Sequence, residues 1–539
     1  MLRRRALVRS LVLPVAAHLL LSDARAEELV WCVGERDRDP WVECGAGSSC
    51  LNPADFESVE EAIEAASAAG GTEETSHRVC IGAAQSSAFG RRAVVDLLTN
   101  PISGDLLLQF VTEGRDTTLC PDPSSSQASP MIEVIGGLGP GPTNVAIANL
   151  WTSAANCGGE RRPVLAVTDA SVLLIDARVT GMASPAIEIR RVSAEPFVQL
   201  FGSRLDGLIG AAIVGVGDLT LGGTEISASG PPDGVALIDW SGHLASGASA
   251  LFGNATVGAP ILRVRGSVNI HSSVIAGNVT IGAPLLDLDA FAPVSAFHGI
   301  RGTVLSRNVV LSEGEVVPLP AEPRPFRDYD GDEHCLPSGA DQQRYAGRDA
   351  PTWTGTPGGY LLDVTAQGPN PSIAIVKSYL VDNTLGDALV GGFVRSASDS
   401  DVTLTFLHNL VAGDGALLSS PAPPHHRLVG ARNVFRGSQP SVPGQLRHAE
   451  LSFDSSESAL GYAGVQFVDG LAGPPHPGPA FVARSNAESM ALSSCLQVEL
   501  HCPDLLSDCT RDTDQAVVCA LDRAVDYVPT AGWMAAASA

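Results

Sequence analysis

The chain has 539 residues and carries 59 acidic against 34 basic ones, which gives a formal net charge of −25 at pH 7. Nucleic acids and anionic membranes attract proteins through a basic surface, so this balance argues against both as partners. The chain also contains 56 glycines and 37 prolines, a composition that favours short strands and tight turns over long helices.

The first 26 residues have the layout of a secretory signal peptide. Three arginines at residues 3–5 precede a mostly apolar run at residues 11–21, and Ala-Arg-Ala at residues 24–26 is a small-x-small cleavage signature. We therefore expect residues 1–26 to be removed and the protein to be secreted or held at the cell surface. No membrane span is expected elsewhere, because no other stretch of the sequence is long and apolar enough.

The 11 cysteines of an exported chain point to disulfide bonds. In chain order they are Cys32, Cys44, Cys50, Cys80, Cys120, Cys157, Cys335, Cys495, Cys502, Cys509 and Cys519. Six lie near the N-terminus and four near the C-terminus, so three bridges and two bridges would leave Cys335 as the odd thiol. No spacing matches a CxxC zinc pair, which favours structural disulfides over metal thiolates.

An amphipathic helix is predicted within FESVEEAIEAASAAGG at residues 56–71. Ser58 and Glu61 form a capping-box pattern at its start, and the two glycines end it. Its apolar face is expected to hold Val59, Ala62, Ile63 and Ala66. The segment VCIG at residues 79–82 follows as the predicted first strand.

A degenerate repeat of roughly 22–26 residues runs from about residue 164 to residue 310. Successive copies include VALIDWSGHLASGASALFGNATVGAP and ILRVRGSVNIHSSVIAGNVTIGAP, and each opens on a short alternating apolar run. Strands this short cannot bury a face alone, so equivalent strands must stack between neighbouring turns. Similar runs occur earlier, as in DLLLQFV and VAIANLW, and the pattern resumes after residue 358.

The pattern F-x-S-V-x-x-A-I-x-x-A, followed by Gly-Gly, a strand and the repeat, resembles the N-terminal cap of right-handed parallel β-helix proteins of the pectate-lyase-like superfamily. The resemblance implies an all-β fold: a right-handed parallel β-helix solenoid with an N-terminal helical cap and a disulfide-rich C-terminal cap. The expected boundaries are a Cys-containing segment with the cap helix at 27–82, solenoid at 83–310, a Pro-rich acidic insertion at 311–358, further solenoid at 359–440 and the C-terminal cap at 441–539.

Asparagine recurs at one phase of the repeat. The positions are Asn254, Asn278, Asn308, Asn383, Asn409 and Asn433. Stacked asparagine side chains can hydrogen-bond to neighbouring turns, which predicts a ladder. The alternative is that asparagine is simply common in turns.

Alignment of the turns predicts two outward-facing columns on the first strand of each turn. The first column holds Glu188, Val214, Ile238, Arg263, Asp287 and Asp363, and the second holds Arg190, Val216, Trp240, Arg265, Asp289 and Thr365. Stacked rungs lie about 4.8 Å apart, so the two arginines should lie beside the aspartates of the next turn.

These neighbours form the candidate catalytic set, Arg263, Arg265, Asp287 and Asp289. The two carboxylates could hold Ca²⁺, and an adjacent arginine could bind a substrate carboxylate or assist proton abstraction. The resemblance implies the same, because polyuronate lyases of the superfamily use such groups on their strand faces. The alternative is a solvated ladder of ion pairs that keeps the strands in register.

Asp328, Asp330 and Asp332 alternate in the acidic loop DYDGDEH and form a candidate calcium site. The loop departs from an EF-hand, because Gly331 is its fourth rather than its sixth residue and Gly339 stands where the twelfth residue should be Glu. A hydrated acidic loop without a metal is the alternative. Calcium is the only cofactor that the sequence suggests.

The signatures of relatives that hydrolyse polygalacturonate are interrupted in this chain. Asn383-Thr384 is followed by Leu385 rather than Asp, and Gly242-His243 lacks the second glycine. The resemblance therefore specifies the fold rather than catalysis. We expect non-catalytic binding of an extracellular polysaccharide or a surface protein. The alternatives are an extracellular polysaccharide lyase or glycoside hydrolase, and a structural surface-layer component.

Overall fold

A computed structural model describes the chain over a series of ranges. They are residues 28–33, 56, 58–70, 75–81, 93–110, 130–136, 144–154, 162–291, 298–319, 350–367, 372–376, 378–381, 383–386, 392–396, 403–407, 410–412, 416–419, 427–431, 434–436, 450–451 and 466–468. Within them the chain is predominantly β-strand, with a single helix, α1, at Val59–Ala69. No helix in these ranges is long and apolar enough to cross a membrane.

Twenty-two strands form one sheet, in which the strands lie in two stacks side by side, called face 1 and face 2. Three long strands belong to both faces: Ile213–Gly222, Ile238–Gly247 and Leu262–His271. Face 1 further contains Ala93–Asp96, Ile132–Ile135, Leu165–Thr168, Ile187–Arg190, Leu286–Phe291, Tyr360–Gln367, Gly392–Ser396 and Ala416–Ser419. Face 2 further contains Glu28–Val33, Ser76–Ile81, Asp105–Phe110, Asn144–Ala148, Ser171–Ile175, Phe197–Phe201, His298–Arg301, Ser372–Val376, Thr403–Leu407, Arg427–Ala431 and Glu450–Leu451.

Two further sheets complete the strand inventory of the described residues. An 11-stranded sheet, called face 3, contains Trp151–Ser153, Arg178–Thr180, Arg204–Asp206, Glu225–Ser227, Ala250–Phe252, Val274–Ala276, Val304–Ser306, Tyr379–Val381, Leu410–Ala412, Val434–Arg436 and Gln466–Val468. A four-stranded sheet contains Ala255–Val257, Val279–Ile281, Val309–Val317 and Thr352–Pro357.

Successive turns of the chain stack in parallel on these faces. Between residues 132 and 436, each turn adds to face 1, then to face 2, then to face 3, and the chain returns to face 1 one rung further on. On face 1, Ile238 lies opposite Leu262 and Leu262 lies opposite Leu286. Stacked parallel sheets of this kind are consistent with the solenoid that the repeat predicts.

The interior of the stack is apolar. Ile238, Leu262, Leu286 and Leu362 occupy successive rungs of one inward column, and none is more than 1% exposed. Burial of one such side chain contributes about 1.5–3 kcal/mol. Each turn therefore holds its neighbours through columns of leucine, isoleucine and valine.

Helix α1 packs against the first strands. Ser58 precedes it, and the Ser58 hydroxyl oxygen accepts a hydrogen bond from the backbone N–H of Glu61 at 3.2 Å. Its buried residues are Val59, Ala62, Ile63 and Ala66. They belong to the same hydrophobic core as the strands, so the predicted helix, its N-cap and its apolar face are confirmed.

The sheet begins earlier than the sequence suggested. Glu28–Val33 pairs in parallel with Ser76–Ile81, so the prediction that residues 79–82 form the first strand is wrong. The two strands are separated by the helix, and the earlier one lies outside the repeat, so no periodicity marks it. Their register sets Cys32 opposite Cys80, and both cysteines are disulfide-bonded.

The asparagine ladder is confirmed where the structure describes it. Asn254, Asn278 and Asn308 each donate a side-chain N–H to the amide oxygen of the next asparagine, at 2.9–3.0 Å. The last acceptor is Asn383. All four side chains are buried, so the ladder satisfies polar groups inside the stack. Outside the described residues lie Asn409 and Asn433.

Strands occur in both regions for which a departure from the solenoid was expected. In the predicted insertion at 311–358, Val309–Val317 leaves the parallel stack and pairs antiparallel with Thr352–Pro357. In the predicted C-terminal cap, Glu450–Leu451 and Gln466–Val468 continue faces 2 and 3. The stack therefore reaches into the range assigned to the cap.

Candidate ligand-binding site

The outer surface of face 1 carries two rows of polar side chains at consecutive rungs. The first row is Asp239, Arg263, Asp287, Asp363 and Arg395. The second row is Ser241, Arg265, Asp289 and Thr365. We call the charged members the charged ladder: Asp239, Arg263, Arg265, Asp287, Asp289, Asp363 and Arg395. The register sets Arg263 opposite Asp287 and Arg265 opposite Asp289, as predicted from the sequence.

One turn of the predicted alignment was wrong by a single residue. Ile238 and Trp240, predicted to face outward, are 1% and 0% exposed and lie in the core. A shift of one residue moves every side chain of a strand to the opposite face, so Asp239 and Ser241 take the outward positions instead. The indole N–H of Trp240 donates to the backbone oxygens of Gly217 and His243 at 3.0 and 3.1 Å, which satisfies its polar atom inside.

Arg263 lies between two carboxylates of neighbouring rungs. Its Nη1 is 3.3 Å from Asp239 Oδ2, and its Nε is 3.3 Å from Asp287 Oδ2. Arg265 lies two residues further along the same strand, and its Nη1 is 3.3 Å from Asp239 Oδ1. Sequence reasoning missed Asp239, although an aspartate between Ile238 and Trp240 indicates the correct phase of that strand.

Asp363 and Arg395 form a two-pronged ion pair at the far end of the ladder. Arg395 Nε donates to Asp363 Oδ1 at 3.0 Å, and its Nη2 donates to Asp363 Oδ2. The guanidinium also lies 5.2 Å from the ring centre of Tyr360. The hydrogen bonds to Asp363 raise the pKa of Arg395. Arg395 was not among the predicted residues, and its only signal is an alternating run, GFVRS, in the next turn.

The two aspartates at the centre of the ladder have raised pKa values. Partial burial is the main cause of the raised pKa of Asp287; the hydrogen bond from Arg263 opposes the rise, and the charge of Asp363 adds to it. The pKa of Asp289 is raised first by burial and then by the charge of Asp287, against the influence of Arg265. The ionised forms of both groups are therefore poorly compensated in this structure.

Asp289 shows this imbalance in its contacts. Within the described part of the chain, its Oδ1 atom is buried and has no hydrogen-bond partner. A buried polar atom without a partner costs about 1–3 kcal/mol. Rotation of the half-buried Asp289 side chain would expose this oxygen, and a ligand hydroxyl or amide that then donated to it would recover that energy on binding.

One of the two predicted calcium sites lies in the part of the chain that the structure describes. Among the described residues, no group of three or more His, Cys, Asp or Glu side chains is arranged to hold a metal ion, and the candidate catalytic set belongs to that part of the chain. The predicted calcium ligands Asp328, Asp330 and Asp332 lie outside the described residues.

Comparison with known proteins does not help to interpret this geometry. Searches of the sequence against protein-family models and curated proteins, and of the structure against solved structures, found no match. The function therefore has to be inferred from the site alone.

Proposed function

We propose that this protein binds a neutral extracellular glycan along the charged ladder and does not transform it there. The observation that carries the proposal is the buried, unpartnered Oδ1 of Asp289 on an outward row. A carboxylate oxygen of this kind accepts a hydrogen bond from a sugar hydroxyl. The neighbouring Arg265 is 47% exposed and can donate to a second hydroxyl.

The charge of the site favours a neutral ligand over an anionic one. The ladder contains four carboxylates and three guanidiniums, and each guanidinium already contacts a carboxylate. The chain as a whole has a net charge of −25. A polyuronate would therefore meet repulsion both locally and at long range, whereas the hydroxyls of a neutral sugar can donate to the carboxylates.

The spacing of the site favours an extended ligand. Consecutive rungs lie about 4.8 Å apart, and the ladder spans the rungs from Asp239 to Arg395. A polymer lying along the stack would meet a polar group on every rung. Loss of one charge-assisted hydrogen bond would then weaken binding without abolishing it.

Calorimetric titration of the full chain against neutral and acidic polysaccharides tests the proposal. Asp289→Ala should weaken binding of a neutral glycan roughly tenfold, which corresponds to about 1.4 kcal/mol. The matched control is Glu188→Gln, because Glu188 lies on the same face and is paired with Arg190 at 2.9 Å. Equal affinity of both variants, or binding of acidic polymers only, would contradict the proposal.

A second candidate function is an extracellular polysaccharide lyase or glycoside hydrolase. It is favoured by the raised pKa values of the adjacent Asp287 and Asp289, because a carboxyl that holds its proton can act as a general acid. Release of oligosaccharides from a neutral polymer, abolished by Asp287→Asn with the fold retained, would establish this activity. If no polysaccharide binds, we predict either that the ligand is a protein or that the chain self-associates as a surface-layer component.

We further propose that the solenoid is a right-handed parallel β-helix of the pectate-lyase-like type, exported by means of residues 1–26 and secreted or held at the cell surface. Helix α1 supports the likeness in fold, and the disulfide-bonded Cys32 and Cys80 favour an oxidising compartment. The mass of the protein recovered from an expressing culture tests export, because cleavage after Ala26 sets the expected value. The predicted disulfide-rich C-terminal cap and calcium loop are proposals of the same kind, to be tested by thiol counting and by titration with Ca²⁺.

A further inference from the structure

A third row of polar side chains lies where face 1 bends into face 2. Asp218, His243 and Ser267 lie opposite one another on the three long strands. All three side chains are half-buried, and the residues that follow them, such as Leu244 and Val268, point into the core. The row therefore faces outward, beside the charged ladder but separate from it.

Stacked glycines fix the position of this row. The glycine before each member has a positive φ: 118° at Gly217, 132° at Gly242 and 148° at Gly266. A Cβ atom at Gly242 would lie 2.2 Å from the backbone oxygen of Gly217, and one at Gly266 would lie 2.0 Å from that of Gly242. Only glycine fits here, so the bend holds the three polar residues at the same place on consecutive rungs.

His243 and Ser267 are in direct contact. The distance between His243 Nδ1 and Ser267 Oγ is 2.5 Å. From the core side, the indole N–H of Trp240 donates to the backbone oxygen of His243 at 3.1 Å, which fixes the backbone that carries the imidazole. A serine hydroxyl held against an imidazole nitrogen is the arrangement of a nucleophile and its general base.

We propose that Ser267 is a nucleophile activated by His243 and that the pair hydrolyses carboxylic esters. Ser267 Oγ attacks the acyl carbon while its proton passes to His243 Nδ1. The C–O bond to the alcohol then breaks, and the alcohol leaves with the proton from His243. Water attacks the acyl-serine, gives a proton to His243, and releases the carboxylic acid as the Ser267 hydroxyl re-forms.

The substrate class follows from the surroundings of the pair. In the described structure no hydrogen bond joins Asp218 to His243, so two residues rather than three form the reacting unit. An alcohol leaves with less help from an acid than an amine does, which favours esters over amides. The pair lies on an open outward surface, so the ester must be exposed on its carrier, as an O-acyl group on an extended polymer is.

Labelling of the full chain with a fluorophosphonate probe tests the proposal. Mass spectrometry should find the label on Ser267, and Ser267→Ala and His243→Asn should each lower the labelling rate by about 100-fold or more. The matched control is Ser171→Ala, because Ser171 is a half-buried serine of the face 2 strand Ser171–Ile175 and belongs to none of the three polar rows. This variant should label like the wild type. The rate of p-nitrophenyl acetate hydrolysis should likewise fall in Ser267→Ala and His243→Asn and stay unchanged in the control variant.

Circular dichroism verifies that each variant is folded before it is compared. Absence of label from folded wild-type protein would overturn the proposal, as would label on another residue or equal rates for Ser267→Ala and wild type. The assay needs no glycan, so it can fail while glycan binding succeeds, and the reverse holds as well.

Discussion

Replacement of Asn278 by alanine should destabilise the solenoid from inside. The side chain is 0% exposed. Its Nδ2 donates to the backbone oxygen of Leu251 at 3.0 Å and to Asn308 Oδ1 at 2.9 Å. Its Oδ1 accepts from the backbone N–H of Asn254 at 3.1 Å and from Asn254 Nδ2 at 3.0 Å. One side chain therefore connects three rungs.

The magnitude follows from the groups that lose a partner. Alanine removes the side-chain partners of the Leu251 oxygen and of the Asn254 backbone N–H, whereas Asn308 Oδ1 still accepts from the backbone N–H of residue 278 at 3.2 Å. Each buried polar group left unpaired costs about 1–3 kcal/mol. The Leu251 oxygen remains within the strand ladder, opposite Ile275, so the Asn254 N–H is the group left unpaired, and we expect a loss of roughly 1–3 kcal/mol in the free energy of unfolding, against the ~5–15 kcal/mol of a typical protein.

Thermal and urea unfolding followed by far-ultraviolet circular dichroism measures this loss. The matched control is Asn269→Ala, since Asn269 is half-buried on the outward side of Leu262–His271 and should change stability by less than about 0.5 kcal/mol. Asn278→Asp keeps the size but replaces the donor with an oxygen that faces Asn308 Oδ1, so it should be at least as harmful as alanine. Equal midpoints for the variants at 278 and 269 would refute the reasoning.

Two further predictions concern the site and the bend. The pKa of Asp287 is raised by burial in the folded state, so its ionised form opposes folding at neutral pH and its contribution to stability improves as the pH falls through the raised pKa. The melting temperature of the wild type minus that of Asp287→Asn should therefore rise on acidification; a fall would contradict the assignment. Gly242→Ala should cost about 3 kcal/mol or more, because its Cβ would lie 2.2 Å from the Gly217 oxygen at a φ of 132°. The control Gly234→Ala, with open space around its Cβ and a φ of 79°, should cost about 1 kcal/mol, and equal melting temperatures for the two variants would show that the bend tolerates a side chain.

The repeat in the sequence was sufficient to predict the stacked parallel strands and the asparagine ladder, because both follow from one period. The phase of a single turn was harder to predict. In VALIDWSG four apolar residues precede Asp239, so either parity of the strand can be aligned with the next turn. Burial decides it: Trp240 fills the core only if Asp239 faces outward.

The remaining parts of the site depend on contacts that no local pattern records. Residues 292–359 separate the strand of Asp287 from that of Asp363, so their proximity rests on which strand follows in the stack. Arg395 lies one turn further still. The unpartnered oxygen of Asp289 and the contact between His243 and Ser267 both depend on packing. The only sequence signal for the contact between His243 and Ser267 is the pair of a glycine and a polar residue, Gly-Asp, Gly-His or Gly-Ser, that recurs in three successive turns.

Protection of arginines from phenylglyoxal by a bound glycan tests the proposed binding surface most directly. Arg265 on the charged ladder and Arg190 elsewhere on face 1 are 47% and 57% exposed, so both should react in the free protein. With a saturating neutral glycan, mass spectrometry should show that Arg265 is protected and that Arg190 reacts as before. Protection of Arg190 alone, or of neither while the glycan is bound, would place the ligand elsewhere and contradict the proposal.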